Sequence, residues 1–96
     1  MMNDYFVVYV LYSFKSQICY YGFTTDLIQR YYAHNFSNVF GFTVAHRPWV
    51  VLYSEIYASK SEALKREKFL KSGTGREWVK NSILPLYLPL FSRSGS

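Results

Sequence analysis

The feature that most constrains the fold is an almost unbroken apolar run over residues 5–12. β-branched and aromatic side chains fill both of its alternating sets. Because successive side chains of a strand point to opposite faces, a strand of this composition must be covered on both sides. The run therefore predicts the central strand of a sheet with material packed on both faces.

Two further segments complete the predicted sheet. Residues 13–17 are few and polar, as in a hairpin connection, so residues 18–24 predict a second strand antiparallel to the first. Residues 49–57, entered through Pro48, predict a third strand. The stretch between them, residues 35–48, has no clean period and is predicted to be a long loop.

Capping residues mark the predicted helices. Asp26 and the threonines before it are N-cap candidates for a helix over residues 26–34, whose apolar stripe is Leu27, Ile28 and Tyr31. Ser59, followed three residues later by a glutamate, forms a capping box for a helix over residues 60–71. A last short helix is expected over about residues 76–84.

The resulting order, β-β-α-β-α-α, predicts an α+β fold in which helices flank a small three-stranded antiparallel sheet. The 96 residues allow one domain, predicted over residues 1–84. Pro85 is expected to end the last helix. With Pro89 and a Ser- and Gly-rich end, it makes residues 85–96 an expected irregular C-terminal tail.

The charge of the chain favours a polyanionic partner. Eleven Lys and Arg face six Asp and Glu, a net charge of +5, which suits nucleic acid first and an anionic membrane surface second. Residues 60–80 hold seven basic and three acidic side chains, or +4 of that excess. They form either a phosphate-binding face or an ordinary solvated helix surface.

Two absences bound the setting of the protein. No stretch reaches the roughly 18 consecutive apolar residues that a membrane span needs, so no membrane association is predicted. The one cysteine, Cys19, excludes an internal disulfide and a cysteine-based zinc site. A reducing, cytoplasmic location fits both.

Glu67 is the first candidate for chemistry. In the predicted helix it falls in the middle of the inward face that Ala63, Leu64 and Leu70 define. An unpaired carboxylate there would cost several kcal/mol, so it needs a cation. A metal ion and an arginine such as Arg30 both remain open.

Arg30 and His34 are four residues apart and are expected to share one edge of their helix. A guanidinium placed there can bind two oxygens of one phosphate, and an imidazole can relay a proton or donate to phosphate. Taken singly, such residues are more often a solvated arginine and a surface or capping histidine.

Tyr9 and Tyr20 lie in the first two predicted strands, where tyrosine is common. If these strands form a hairpin, both hydroxyls can converge on one side of the sheet. A phenol has an unperturbed pKa of about 10. Activation of water by Tyr9 would therefore require a nearby cation, such as Arg30 or a metal on Glu67, to lower that pKa.

In order and spacing, these residues resemble the GIY-YIG nuclease superfamily over residues 5–81, most closely its small, single-domain bacterial members. Residues 43–49 and 67–73 are also similar to stretches of those proteins. The positions that carry the resemblance are Val7-Val8-Tyr9, Tyr20-Tyr21-Gly22, Arg30, His34 and Glu67. An asparagine that many catalytic members carry has only Asn81 as a counterpart, at an unconvincing spacing.

The resemblance implies single-metal phosphodiester hydrolysis. By this analogy Tyr9 helps to activate the attacking water, Tyr20 lies beside the scissile phosphate, and Gly22 allows a close approach of backbone or substrate. Arg30 stabilises the transition state, and His34 accepts a proton or contacts phosphate. Glu67 binds one divalent ion, Mg²⁺ or Mn²⁺; a hard cation that keeps its waters needs few protein ligands.

The predicted function is therefore an endonuclease that acts on DNA more readily than RNA, selective for structure rather than sequence, in a setting such as DNA repair. A protein partner is a possible source of specificity. The aromatics Phe36, Phe40 and Phe42 are expected either to stack on unpaired bases or to pack in the core. The predicted nucleic-acid contacts are His46, Arg47, Lys68, Lys71 and Arg76.

Two other classes of function remain open from the sequence. One is a non-catalytic nucleic-acid-binding module on the same fold. The other is a protein-interaction domain that uses the aromatic surface and residues 83–91.

Overall fold

The computed structural model of the chain describes residues 5–37 and 41–93. Its strands are β1 (Phe6–Ser13), β2 (Ile18–Thr24) and β3 (Trp49–Tyr57). The α-helices are α1 (Leu27–Tyr32), α2 (Phe42–Ala45), α3 (Lys60–Lys71), α4 (Gly73–Trp78) and α5 (Leu84–Arg93), and π-helical turns occupy Ala33–Ser37 and Val79–Ile83. The predicted α+β architecture, with one three-stranded antiparallel sheet, is confirmed.

The central strand of the sheet is β1, as the two-faced apolar run predicts. The order is β2-β1-β3, and β1 pairs antiparallel with both neighbours. Every residue of β1 after Phe6 is buried. A bulge between Val10 and Leu11 shifts the register against β3.

The two faces of β1 supply two separate apolar cores. Val8 and Val10 face a core that includes Ala63 and Leu70 of α3 and Val79 of the second π-helical turn. On the opposite face, residues 7, 9 and 11 pack with Trp49, which is fully buried. The two faces thus divide the strand between a structural core and a second layer that contains Tyr9.

Helices α1 and α3 begin where the capping residues predict. The Asp26 carboxylate accepts a hydrogen bond from the backbone N–H of Gln29 at 3.1 Å, and the Ser59 hydroxyl accepts one from Glu62 at 3.3 Å. Each bond satisfies an N–H group that the first turn of a helix leaves without a partner. Helix α3 also ends at the predicted residue.

An ionic network joins β3 to α3. The Glu55 carboxylate accepts hydrogen bonds from Tyr53 and Tyr57 at 2.5 and 2.7 Å, and from two nitrogens of Arg66 at 2.9 and 3.0 Å. Burial raises the pKa of the Glu55 carboxyl, but these hydrogen bonds outweigh it and hold the pKa below its usual value. The Arg66 guanidinium also lies over the Trp78 ring, 4.8 Å from its centroid.

Two predictions for the first helix are wrong. The helix predicted over residues 26–34 is α-helical only to Tyr32 and continues as a π-helical turn. Ile28, assigned to the inward stripe, is 84% exposed, whereas Leu27 is partly buried against the sheet. A helix of six residues offers little buried width, and Leu27 occupies it.

The predicted irregular tail is also wrong, because α5 runs from Leu84 to Arg93 and Pro85 does not end the preceding helix. Leu84, Tyr87 and Leu88 pack against the core at helical spacing. This burial offsets the helix-breaking tendency of the prolines, of which Pro89 lies inside α5. Residues 94–96 lie outside the described part of the chain, and the predicted boundary at residue 84 stays a prediction. Within the described ranges no helix is long and apolar enough to cross a membrane.

Candidate active site

The phenol of Tyr9 is the centre of the candidate site. Tyr9 is 2% exposed, and its hydroxyl lies 3.1 Å from Nε2 of His34. Gly22 lies opposite Tyr9 in the β1–β2 pairing, and a Cβ there would come within 2.3 Å of both Cζ and the hydroxyl oxygen of Tyr9. The close approach expected at Gly22 is therefore made by the Tyr9 ring itself.

Burial and three charged or titratable side chains shift the pKa of this phenol. Burial raises the pKa of Tyr9 to about 12; Tyr20 and Glu67 also raise it, while Arg30 lowers it. Activation of water by Tyr9 was expected to require a cation that lowers this pKa, and that requirement stays a prediction. Arg30 acts in that direction, but burial outweighs it, so Tyr9 is protonated at neutral pH.

His34 lies in the π-helical turn and is 6% exposed. Burial lowers the pKa of its imidazole, and the positive charges of Arg30 and Arg47 lower it further. The ring is therefore neutral near pH 7. Among the described residues, no group bonds its buried Nδ1.

The predicted shared edge of Arg30 and His34 is only partly right. The π-helical turn changes the helical phase after Tyr32, so Arg30 is exposed while His34 points into the protein. The positive charge of Arg30 nevertheless lowers the pKa of both Tyr9 and His34.

Arg47 and Asn35 hold the π-helical turn of His34 in place. Arg47 was predicted to contact nucleic acid, and Asn35 was not predicted to act at the site. Arg47 donates from Nε to the backbone carbonyl of His34 at 2.6 Å and from Nη2 to that of Ala33 at 3.2 Å. The Asn35 side chain accepts from the backbone N–H of Trp49 at 2.6 Å and donates to its carbonyl at 3.0 Å. Asn35 thus pairs with the first residue of β3 as a neighbouring strand would. A polar residue in a predicted loop carries no sequence pattern that would have revealed this.

Tyr20 joins the buried site to an exposed row of aromatic rings. Its ring centroid lies 4.9 Å from that of His34 and 6.3 Å from that of Phe42. Phe42 packs in turn on His46 at 4.6 Å. His46 is held at Nδ1 by the Ser16 hydroxyl at 2.7 Å. Tyr9 and Tyr20 therefore lie on one side of the sheet, as a hairpin predicts.

Glu67 lies beside the buried face of α3, between Ala63 and Leu70, although Leu64 is 41% exposed rather than inward. Its side chain is 19% exposed and forms an ion pair with Lys71 at 3.2 Å. Of the two cations left open for Glu67, Arg30 is therefore not its ion-pair partner; a lysine one turn along the same helix is.

A divalent ion is compatible with this carboxylate. No group of three or more His, Cys, Asp or Glu side chains suited to a metal occurs among residues 5–37 and 41–93. The single partly exposed carboxylate of Glu67 still meets the needs of a hard ion that keeps most of its waters. The donor set at Glu67 therefore fits Mg²⁺ or Mn²⁺ and does not fit a softer, fully enclosed metal.

The predicted nucleic-acid contacts fall into two groups. Lys71 and Arg76 line a groove of about 650 Å³ together with Tyr20 and Phe42, and Lys68 is exposed on α3. His46 and Arg47 are half-buried supports of the Phe42 and His34 rings. Of the predicted aromatics, Phe36 and Phe42 are exposed, and Phe40 lies outside the described residues.

Tyr9 and Tyr20 thus lie on the strands of one small antiparallel sheet, while Arg30 belongs to α1 and Glu67 to α3. The chain belongs to the GIY-YIG family: it matches the GIY-YIG catalytic domain over residues 5–81. The family is a nuclease superfamily, so the domain is associated with nucleic-acid cleavage in general.

Similar proteins occur in bacteria and archaea. A UPF0213 protein of Staphylococcus haemolyticus is 35% identical over 66 residues, which cover 69% of this chain and 80% of the relative. A UPF0213 protein of Haloquadratum walsbyi is 34% identical over 73 residues, or 76% of this chain and 81% of the relative. One from Streptococcus agalactiae is 40% identical over 55 residues, or 57% and 62%.

Proposed function

We propose that the protein is an endonuclease that uses one divalent metal ion to hydrolyse phosphodiester bonds in DNA. The observation that supports this most directly is the bond between Tyr9 and a neutral, buried His34. An acidic and a basic side chain, Glu67 and Arg30, both act on the same phenol. These are the groups that a water molecule attacking a phosphate requires.

The proton of the attacking water passes through Tyr9 in this proposal. With a pKa of about 12, Tyr9 is not a standing phenolate at neutral pH. It accepts the proton of the water while handing its own to Nε2 of His34, 3.1 Å away. This relay requires the His34 tautomer that carries its proton on Nδ1. The lowered pKa keeps the imidazole free to accept.

Arg30 and Tyr20 act on the phosphate. The Arg30 side chain is exposed, and its planar guanidinium can bind two phosphate oxygens as negative charge develops on them. The Tyr20 ring lies 4.9 Å from that of His34, and Tyr20 is assigned to position the phosphate beside Tyr9.

Glu67 would hold Mg²⁺ or Mn²⁺ through its carboxylate. When bound, such an ion would neutralise charge on the phosphate and lower the pKa of coordinated water. Lys71 contacts Oε2 of Glu67, and release of this ion pair would free Lys71 for the DNA backbone. Because Lys71 is half-exposed, opening this pair costs about 1 kcal/mol or less.

The substrate is proposed to be DNA that is recognised by structure. Lys68, Lys71 and Arg76 supply sequence-independent phosphate contacts, with His46 and Arg47 at the edge of the site. Sequence selection is assigned to a protein partner. The free thiol of Cys19 is consistent with action in the cytoplasm.

Cleavage of plasmid, branched and single-stranded DNA with Mg²⁺ tests this function. Tyr9→Phe and Glu67→Gln are each expected to reduce the rate by at least about 100-fold. Tyr5→Phe and Glu62→Gln, exposed residues of the same types, are the matched controls. Cleavage that survives Tyr9→Phe or Glu67→Gln unchanged would refute the assigned roles.

A non-catalytic nucleic-acid-binding module is the second candidate. The burial of Tyr9, the rise of its pKa and the pairing of Glu67 with Lys71 favour it, because each works against hydrolysis. Salt-dependent DNA binding without cleavage under Mg²⁺, Mn²⁺ or Ca²⁺ would establish this alternative.

A further inference from the structure

A groove of about 650 Å³ follows the outer edge of β2 and adjoins the candidate active site. Residues 18–21 of β2 and Phe42 line it. The end of α3, α4 and the second π-helical turn also contribute lining residues. Tyr20 belongs to both the groove and the site, since its ring contacts both His34 and Phe42.

The charged lining of the groove has one sign. Lys71, Arg76 and Lys80 line it and are all exposed, and none of the described lining residues is acidic. Three cations and no carboxylate in the lining favour an anionic ligand, although Glu67, outside the lining, forms an ion pair with Lys71. Three cations along the groove suit successive phosphates rather than a single small anion.

Phe42 presents an aromatic face that the fold supports from behind. The side chain is 57% exposed, although its ring packs on His46 and lies 6.4 Å from the buried ring of Trp49. The Trp49 indole N–H donates to the carbonyl of Thr43, within α2, at 2.8 Å. The phenyl ring therefore packs on neighbouring rings over part of its surface and is open to solvent over the rest, as a ring on which unpaired bases stack must be.

We propose that this groove binds an unpaired nucleotide next to the cleaved phosphodiester, with its base stacked on Phe42. Lys71, Arg76 and Lys80 contact the phosphates that flank it. This inference rests on the proposed function and names its substrate class: single strands, flaps or splayed ends of DNA. A base in a continuous duplex is stacked on its neighbours and does not offer its face to Phe42 without being unstacked first.

Binding of a single-stranded DNA oligonucleotide that carries 2-aminopurine tests the subsite without requiring cleavage. Titration in EDTA with the full chain is expected to quench the fluorescence as the base stacks. Phe42→Ala should weaken binding by about 5- to 100-fold and abolish the quench, and Phe42→Trp should restore both. Phe36→Ala, which removes another exposed aromatic, is the matched control.

The salt dependence isolates the basic residues. Lys80→Ala should reduce the slope of log K against log salt by about 0.7, the value for one phosphate contact to a single strand. Phe42→Ala should leave that slope unchanged, because it removes a stacking contact and no charge. Thermal unfolding of each variant shows that the exposed substitutions leave the fold intact.

Three results would overturn the inference. The first is binding and quenching by Phe42→Ala like those of the wild type. The second is duplex DNA that binds as tightly as the single strand, and the third is an acidic peptide that displaces the oligonucleotide at equal charge concentration. A tighter complex with the matching RNA would overturn the assignment to DNA. If the chain quenches the fluorescence but cleaves no DNA, the subsite is correct and the proposed function fails. If Mg²⁺-dependent cleavage is unchanged in Phe42→Ala, and binding and quenching are also unchanged, the proposed function holds and the subsite fails.

Discussion

Gly22→Ala is expected to disable the site by moving Tyr9, although Gly22 itself bears no functional group. The new methyl would lie 2.3 Å from Cζ and the hydroxyl oxygen of Tyr9, where ordinary contacts begin at 3.4 Å. The ring must therefore move by about 1 Å. A shift of that size breaks the 3.1 Å bond between Tyr9 and His34.

The two expected magnitudes differ in origin. Overpacking a buried ring costs about 1–3 kcal/mol, partly offset by the 0.5–1 kcal/mol that a strand gains, roughly, when alanine replaces glycine. We therefore expect a net loss of stability of at most about 2.5 kcal/mol in urea unfolding. Displacing a catalytic group by about 1 Å lowers the cleavage rate about 100-fold.

Three measurements on Gly22→Ala separate displacement from unfolding. Urea unfolding gives the stability, single-turnover cleavage gives the rate, and the ¹⁵N chemical shifts of the His34 ring report its bond to Tyr9. Gly73→Ala is the control, since a Cβ at Gly73 meets no atom within 4 Å. In a Tyr9→Phe background, Gly22→Ala should cause little further loss of rate, because both changes act through one hydroxyl. Wild-type rate and unchanged His34 shifts in Gly22→Ala would refute this reasoning.

Three further outcomes are expected. The cleavage rate should fall only as the pH drops below 6.5, because the pKa of His34 is lowered from 6.5 and a protonated imidazole cannot accept a proton from Tyr9. A fall in rate that begins above pH 6.5 on acidification would contradict this. Arg47→Ala should cost about 1–3 kcal/mol in thermal unfolding, because it removes two hydrogen bonds to the His34 turn. It should also move the acid limb of the rate–pH profile towards higher pH, because it removes a positive charge that lowers the pKa of His34. An unmoved limb would leave Arg47 a purely structural role. Glu55→Ala should lower the free energy of unfolding by about 1.5–3 kcal/mol at pH 7, because it removes the hydrogen bonds between Glu55 and Arg66. This difference from the wild type should shrink as the pH falls below 4.5 and through the lowered pKa of Glu55. A constant difference in urea unfolding down to pH 3 would show that the ionic network contributes nothing.

The sheet was predictable because a strand repeats every two residues and both faces of β1 are apolar. The bounds of β2 and β3 follow from the same pattern, and the bounds of α3 follow from its capping box and its final glycine-containing turn. In these segments local preference and tertiary packing agree, so the sequence alone was sufficient.

The misplaced features share a different cause, namely that tertiary contacts overrode local preference. A π-helical turn has no periodic pattern of its own, so the opposite exposures of Arg30 and His34 could not be foreseen. Two prolines predict a broken helix, yet burial of Tyr87 and Leu88 maintains α5. The raised pKa of Tyr9 depends on how completely a folded sheet excludes water, which residue spacing does not measure.

The alternating faces of β1 have a consequence for local motion. Tyr9 lies between Val8 and Val10, whose side chains belong to the opposite core, and β1 pairs with both other strands. The backbone amide protons of β1 should therefore exchange with solvent only through global unfolding, at rates among the slowest in the chain. Local motion near the surface can move the side chains of Arg30 or Phe42 around a substrate. The backbone of Tyr9 should keep its position until the whole domain unfolds.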